Sequence, residues 1–114
     1  MKKILQSLSL EVGIKGSLVL TRDGVVVHSE ISLPLNGDLV AAVAANSIQG
    51  INGALRAAGG KDFSRIVFNA SFGKMAFVDT GESYLVVVLD KSINLELTML
   101  SITSAARKIH SMSS

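Results

Sequence analysis

Four arginines are the residues of this sequence best suited to chemistry on a phosphate group. A guanidinium supplied by a partner protein can neutralise the charge that develops during nucleotide hydrolysis. Neither spacing nor neighbours singles out one of the four for that role. A solvated surface charge, or a hydrogen bond at the edge of a dimer, is therefore the favoured interpretation of each. The four are Arg22, Arg56, Arg65 and Arg107.

The two histidines give little support for catalysis or metal binding. Neither His28 nor His110 has a second imidazole, thiol or carboxylate at ligand spacing, such as four residues away on a helix. Spacing alone does not exclude a Ser-His-acid triad, because triads assemble in space. His28 is nevertheless expected on a solvent-facing edge strand, and His110 at the end of a helix. We therefore predict no enzymatic activity, no catalytic residue, no metal and no cofactor.

The segment Gly13-Ile14-Lys15-Gly16 matches the GxxG pattern of an RNA-binding module, and with Ser17 it suggests a phosphate-binding loop. Both motifs require a helix next in the chain. A β-rich run follows instead, so we interpret the segment as a turn into a strand. The net charge is only +2, and basic residues are scattered along the chain. No nucleic-acid partner is expected, because following a phosphate backbone requires a basic patch.

Composition predicts one domain with a buried subunit interface. The 114 residues fit a single domain spanning residues 1–114. Hydrophobic residues make up 48% and the mean hydropathy is +0.47, which is high for a soluble monomer. No apolar run approaches the roughly 20 residues of a membrane span. Because the chain also lacks cysteine and an uninterrupted signal-peptide core, we expect a cytoplasmic location without membrane insertion.

A long central helix, predicted over residues 38–58, is the element around which the other candidates are arranged. Asn36 or Asp38 can accept hydrogen bonds from its first turn, and Gly59 or Gly60 can end it. At 100° per residue, its large apolar side chains fall within one half-circle that should face the core. That half-circle contains Leu39, Val40, Val43, Ile48, Ile51 and Leu55.

The opposite arc of this helix is unusual because it carries a single charge. A solvated face would carry several Lys and Glu residues. Gly50 and Gly53 each cost roughly 1 kcal/mol of helix propensity relative to alanine, a cost that close approach of another backbone would offset. We therefore predict that this second face contacts a partner. The arc consists of Ala42, Ala45, Asn46, Gln49, Asn52, Gly53 and Arg56.

The remaining patterns predict two further helices and five strands. Residues 2–11 have helical periodicity, and Asn94 caps a last helix. Asp23-Gly24 joins two β-rich runs as a hairpin turn. Residues 84–89 are apolar without alternation, which predicts a strand in the middle of a sheet with helices on both faces. The strands are predicted at residues 17–21, 25–31, 63–69, 74–79 and 83–89, which gives the order α-β-β-α-β-β-β-α.

That order, together with three segments, closely resembles the Roadblock/dynein light chain family and its gliding-motility GTPase regulators. The segments are residues 13–24, the alanine-rich middle helix, and residues 85–89 followed by Asn94 and Leu95. The resemblance implies a profilin-like α/β (α+β) sandwich with sheet order 2-1-5-4-3. The middle helix would cover one face of the sheet and the two terminal helices the other.

The resemblance also implies a homodimer that pairs through the third strand and the middle helix, forming one continuous sheet. This agrees with the uncharged arc of the helix and with the apolar third strand. An Ala, Asn, Gln and Gly face beside an apolar edge strand would otherwise face water. The predicted dimer interface is Ala42, Ala45, Asn46, Gln49, Gly53, Ile66, Val67 and Phe68.

In function, the resemblance implies a regulator or scaffold that binds a small Ras-like GTPase. We predict a non-catalytic homodimer in which the paired middle helices dock the GTPase, with GTPase activation and localisation both open as roles. Gln49, Asn52 and Arg56 are the predicted accessible contacts. Two alternatives remain. The chain is either a structural adaptor of a larger motor or signalling assembly, without a nucleotide-linked role, or a small-molecule sensor, which would need an enclosed pocket.

Overall fold

The computed structural model describes residues 1–32 and 34–113, and the order of its elements is the one predicted. Three helices and five strands follow one another as α-β-β-α-β-β-β-α. The elements are α1 (Lys2–Ser9), β1 (Ile14–Thr21), β2 (Val26–Ile31), α2 (Gly37–Ala57), β3 (Arg65–Ala70), β4 (Gly73–Asp79), β5 (Ser83–Leu89) and α3 (Leu95–Ser113).

The five strands form a single antiparallel sheet in the order β2-β1-β5-β4-β3. This is the order that the family resemblance implied. β5 lies in the middle, and all seven of its residues are buried. A strand whose apolar residues do not alternate with polar ones needs both faces covered, and both faces of β5 are covered. The prediction for β5 is confirmed.

Helices cover both faces of the sheet and divide the core into two clusters. On one face, α2 packs on Leu18, Phe77 and Val86. On the other face, α1 and α3 pack on Val19 and Val87, among others. Neighbouring residues of one strand therefore belong to different clusters, as the pleat requires. β2 and β3 are the two edges of the sheet.

The two ends of α2 have the chemistry expected from the sequence. The Asn36 side chain accepts a hydrogen bond from the Leu39 backbone N–H at 3.1 Å, which satisfies one donor of the first turn. Gly59 follows the helix with a φ of +87°, a left-handed conformation that glycine adopts without steric cost. Of the alternatives left open by the sequence, Asn36 is the cap and Gly59 ends the helix.

Three predicted boundaries differ from the structure by two residues or more. α1 ends at Ser9 rather than residue 11. β1 begins at Ile14 rather than residue 17, because Ile14 already pairs with Leu89 of β5. β3 begins at Arg65 rather than residue 63, because the backbone N–H of Phe63 donates to a side chain of α2 instead of to a strand.

The core-facing side of α2 also differs from its prediction. Leu39, placed in the apolar half-circle, is 57% exposed. The buried row is instead Val40, Ala44, Ile48 and Asn52, spaced four residues apart. Such a row follows the ridge that a helix presents to a sheet or helix. The predicted half-circle contains Val40 and Ile48 of this row and omits Asn52, because it was drawn from large apolar side chains alone.

A candidate partner-binding surface

The outer face of α2 is open to solvent and carries charge only near its two ends, at Asp38 and Arg56. A Cβ atom added at Gly50 or Gly53 would meet no other atom within 4 Å. Within one chain, nothing therefore makes use of their missing side chains. The exposed uncharged residues of this face are Leu39, Ala42, Asn46, Gln49, Gly50, Gly53, Ala54 and Ala57.

The edge strand β3 continues this surface. It pairs with β4 on one side, and its other side is the free edge of the sheet. Ile66 and Phe68 are half-buried and face α2. Together with Asn46 and Gly50 of α2 they line an open groove of about 370 Å³. A free apolar edge is a ready template for pairing with another chain, so the helix face and the strand edge form one candidate surface.

The predicted interface residues divide into three groups. Ala42, Asn46 and Gly53 lie on the open face of α2, and Ile66 and Phe68 lie beside it. Val67 of the same strand packs on the opposite side of the sheet, against the α1 and α3 cluster.

Ala45 and Gln49 face the turn between β1 and β2. The Ala45 Cβ lies 3.0 Å from a Cβ added at Gly24. The Gln49 side chain donates to the Asp23 carbonyl oxygen at 2.9 Å. Both residues brace this turn within one chain, on the side of α2 away from the edge of β3.

Asn52, predicted as an accessible contact, is buried, with 4% of its surface exposed. Its amide nitrogen donates to the Tyr84 hydroxyl at 3.1 Å, and its oxygen accepts from the Phe63 backbone N–H at 2.9 Å. The prediction of an accessible Asn52 is wrong because the residue ends the buried row of α2. An asparagine four residues after Ile48 was the sequence signal for this.

Arg22 was interpreted as a surface charge, and the structure places it in a polar network. Its guanidinium donates to the Tyr84 hydroxyl at 2.8 Å and to Asp79 at 2.7 Å. The same group lies 4.6 Å from the centre of the Tyr84 ring, a cation–π contact. Tyr84 in turn donates to the Phe63 carbonyl oxygen at 2.9 Å. Through these contacts Arg22 holds the turn after β1 against the sheet.

Arg56 forms a two-point ion pair with Asp62. Its Nε and Nη2 atoms each lie 2.6 Å from a carboxylate oxygen, the paired geometry that guanidinium groups favour. Arg22 also approaches Asp62, at 3.3 Å. The Arg56 side chain is still 64% exposed, so its outer edge remains open to a partner.

The ion pair predicts a pH effect on stability. The hydrogen bond from Arg56 lowers the pKa of Asp62; burial opposes this, and the charges of Arg56 and Arg22 add to it. A lowered pKa in the folded state contributes stability above the unfolded value near 4. That contribution is lost as pH falls through the folded pKa. Asp62→Asn is therefore expected to be less stable than the parent at pH 7, with the difference shrinking below about pH 4.

Urea denaturation at several pH values between 7 and 3 would measure this difference. Asp23→Asn is the matched control, because Asp23 is exposed and its side chain forms no ion pair among the described residues. Asp62→Asn should lose more stability at pH 7 than this control does. An Asp62→Asn difference that stays constant from pH 7 to pH 3 would contradict the assignment.

The remaining chemical candidates lie apart from this surface. His28 is half-buried on the edge strand β2, and the His110 ring lies 2.8 Å from the Thr80 carbonyl oxygen in the turn between β4 and β5. Within residues 1–32 and 34–113, no three acidic or histidine side chains gather closely enough to hold a metal ion. None of the described helices is long and apolar enough to cross a membrane.

Comparison with known proteins identifies relatives that are similar to the chain over almost its whole length. No protein-family model matches it. Two uncharacterized proteins of Methanocaldococcus jannaschii, MJ1340 and MJ0310, are each 32% identical to it over 110 residues. The match covers 96% of this chain and 96% of each relative. The chain belongs to their family. The shared region is almost the whole of each of these two proteins.

Solved structures define the fold. MglB of Myxococcus xanthus has a TM-score of 0.84 at 17% identity, covering 96% of this chain and 84% of that one. An MglB with a tetrameric arrangement gives 0.79 at 21% identity, with the same coverage. A Roadblock/LC7 domain from Streptomyces avermitilis gives 0.78 at 16% identity, covering 98% and 96%. The chain thus has the Roadblock/LC7 fold, which confirms the resemblance at the level of the fold.

The profilin-like architecture is confirmed as well. Profilin IB of Acanthamoeba castellanii has a TM-score of 0.58 at 16% identity, covering 99% of this chain and 95% of the profilin.

Proposed function

We propose that the chain is a non-catalytic homodimeric regulator or scaffold that binds a small Ras-like GTPase. One observation carries the proposal: the exposed face of α2 has no charge between Asp38 and Arg56 and continues into the free edge of β3. Ordinary solvated helices carry several charges on their outer face. A face of this composition is typical of a surface that another protein covers.

In the proposed dimer, β3 pairs with the β3 strand of a second copy and α2 lies beside its counterpart. The open space at Gly50 and Gly53 allows the two helices to approach closely. Ile66 and Phe68 would be covered at the same time. The tetrameric arrangement of one solved MglB supports self-association of this fold.

The GTPase is proposed to dock across the two-fold axis, on the paired α2 helices. A two-fold dimer presents its interface helix twice, which creates a composite surface that a monomer lacks. Arg56 and Gln49 are exposed at the margin of this surface. Asn52 takes no part, since it is buried. Binding one nucleotide state more tightly than the other would be enough to regulate the GTPase, without any catalytic residue.

Binding to small GTPases from the same source tests the proposal. Each GTPase is loaded with GDP or with a non-hydrolysable GTP analogue, and binding is measured by calorimetry. Binding is expected to depend on the nucleotide and to weaken about tenfold in Arg56→Glu, because the substitution places a repulsive charge at the contact.

Asp62→Asn is the matched control, because it breaks the same ion pair while keeping the Arg56 charge. It should bind close to the parent level. If Arg56→Glu remains a dimer and binds the GTPase as tightly as the parent does, the docking site must lie elsewhere. Absence of binding to every GTPase would contradict the proposal and favour the adaptor role.

A further inference from the structure

A second groove lies on the opposite face of the sheet, between α3 and the strands β3 and β4. It consists of two connected depressions of about 540 and 520 Å³. Arg65, Thr103 and Arg107 line both, so they mark the middle of the groove. All of its lining residues come from one chain. A second copy is therefore not needed to form the groove.

Two arginines occupy the middle of this groove without a counter-charge. Arg65 on β3 and Arg107 on α3 are exposed, and within residues 1–32 and 34–113 neither forms an ion pair or a side-chain hydrogen bond. Like charges that face one groove repel each other unless an anion lies between them. The described part of the chain thus supplies two guanidinium groups and no counter-ion for either.

The other titratable groups of the groove do not neutralise these arginines. Glu96 lines one depression, but no ion pair joins it to Arg65 or Arg107 in the described part of the chain. Asp79 lines the other, and it already accepts from Arg22 at 2.7 Å and from the Gly81 backbone N–H at 2.6 Å. His110 is held against the Thr80 carbonyl oxygen.

Apolar side chains form the floor and rim of the groove. Val67 and Met99 are half-buried against the core, and Val78 is 7% exposed. Leu100 stands at the rim with 69% of its surface exposed. A free inorganic anion would gain nothing from such a floor. A peptide can place large apolar side chains on it while a carboxylate reaches the arginines.

We propose that this groove docks an extended segment of a partner protein in which a carboxylate is flanked by large apolar side chains. Guanidinium groups match carboxylates in two-point geometry, and the apolar floor supplies buried area on either side. The surface is separate from the α2 face, which lies across the sheet. A chain that uses both surfaces would bridge a GTPase and a second, acidic partner.

A displayed library of random 12-residue peptides tests the proposal on the intact protein. Selection is expected to enrich sequences with Asp or Glu next to Leu, Ile, Phe or Met. A synthetic copy of an enriched peptide is then titrated against the parent and two variants. Arg107→Glu should weaken its binding at least about tenfold. Lys108→Glu, an equal change of charge one residue away on α3, should change it less than twofold because Lys108 does not line this groove.

Amide chemical shifts locate the binding site independently of affinity. Peptide-induced shifts are expected to cluster at β3 and along α3 near Thr103. Three results would each overturn the proposal. The selection enriches no sequence, Arg107→Glu and Lys108→Glu weaken peptide binding equally, or the chemical-shift changes are confined to α2. Inorganic phosphate is the control for a simple anion site; if it displaces the peptide completely at millimolar concentration, the groove binds an anion only. GTPase binding should be unchanged in Arg107→Glu, so the two proposals can fail separately.

Discussion

Replacing Asn52 by alanine is expected to lower the free energy of unfolding by about 3 kcal/mol. The side chain is buried and makes two hydrogen bonds in different directions, to the Tyr84 hydroxyl and from the Phe63 backbone N–H. Alanine removes both. The Phe63 N–H is then left buried without an acceptor, and an unsatisfied buried donor costs more than the net value of the bond itself.

The loss should be large because these bonds fix a crowded corner of the core. The Phe63 ring stacks on the Tyr84 ring with centroids 4.7 Å apart, and Tyr84 also holds Arg22. Loosening Phe63 therefore disturbs the packing between α2 and β5 as well as one hydrogen bond.

Urea denaturation at a fixed protein concentration would measure the effect of Asn52→Ala. Ser104→Ala on α3 is the control, since Ser104 is exposed, lies outside the proposed dimer interface, and alanine favours helix. Its effect should lie within about 0.5 kcal/mol of the parent. An Asn52→Ala loss below about 1 kcal/mol would show that water replaces the amide, contrary to the burial of this site.

The fold could be predicted because independent local signals agree. The capping Asn36, the glycine after α2, the Asp-Gly turn and the uninterrupted apolar run of β5 each specify one element without reference to the others. Sheet order is a long-range property, however. It came from the family resemblance, since nothing local to β1 indicates that it pairs with β5.

The polar network could not be predicted for the same reason. Arg22 and Tyr84 are far apart in the chain, and they meet because the neighbouring Leu20 pairs with Tyr84 across β1 and β5. Sequence alone shows an arginine in a turn and a tyrosine at the start of an apolar strand. The tyrosine was the available signal, because a buried hydroxyl needs a partner.

The candidate interface was predicted in part, and its errors arise from helix geometry. The composition of α2 shows that this arc carries little charge, and most of the arc does lie on the surface. Whether a residue at the edge of that arc faces solvent, the turn or the core depends on how α2 tilts on the sheet. Asn52 faces the core, and Ala45 and Gln49 face the turn. Ala45→Glu would therefore disturb the β1–β2 turn, and it is a poor test of self-association.

Gly53 gives a cleaner test of the dimer. A Cβ atom added there meets no atom of its own chain within 4 Å outside the helix's own backbone, and Gly53 is exposed on α2. A longer side chain is therefore expected to extend into solvent in the monomer. It should even raise helix propensity by several tenths of a kcal/mol or more relative to glycine. Any loss of assembly would then come from the interface and not from damage to the fold.

Gly53→Arg is expected to raise the dissociation constant of the homodimer at least about a hundredfold, because it places two unpaired like charges where the α2 helices approach each other. Sedimentation at micromolar concentration should show the parent above its chain mass of 12.0 kDa and the variant near that mass. Ser104→Arg, which adds the same side chain on the exposed face of α3, should remain dimeric. The thermal midpoint of dilute Gly53→Arg should be no lower than that of the dissociated parent. A dimeric Gly53→Arg, or a parent that stays monomeric at all concentrations, would contradict the interface on which the proposed GTPase platform depends.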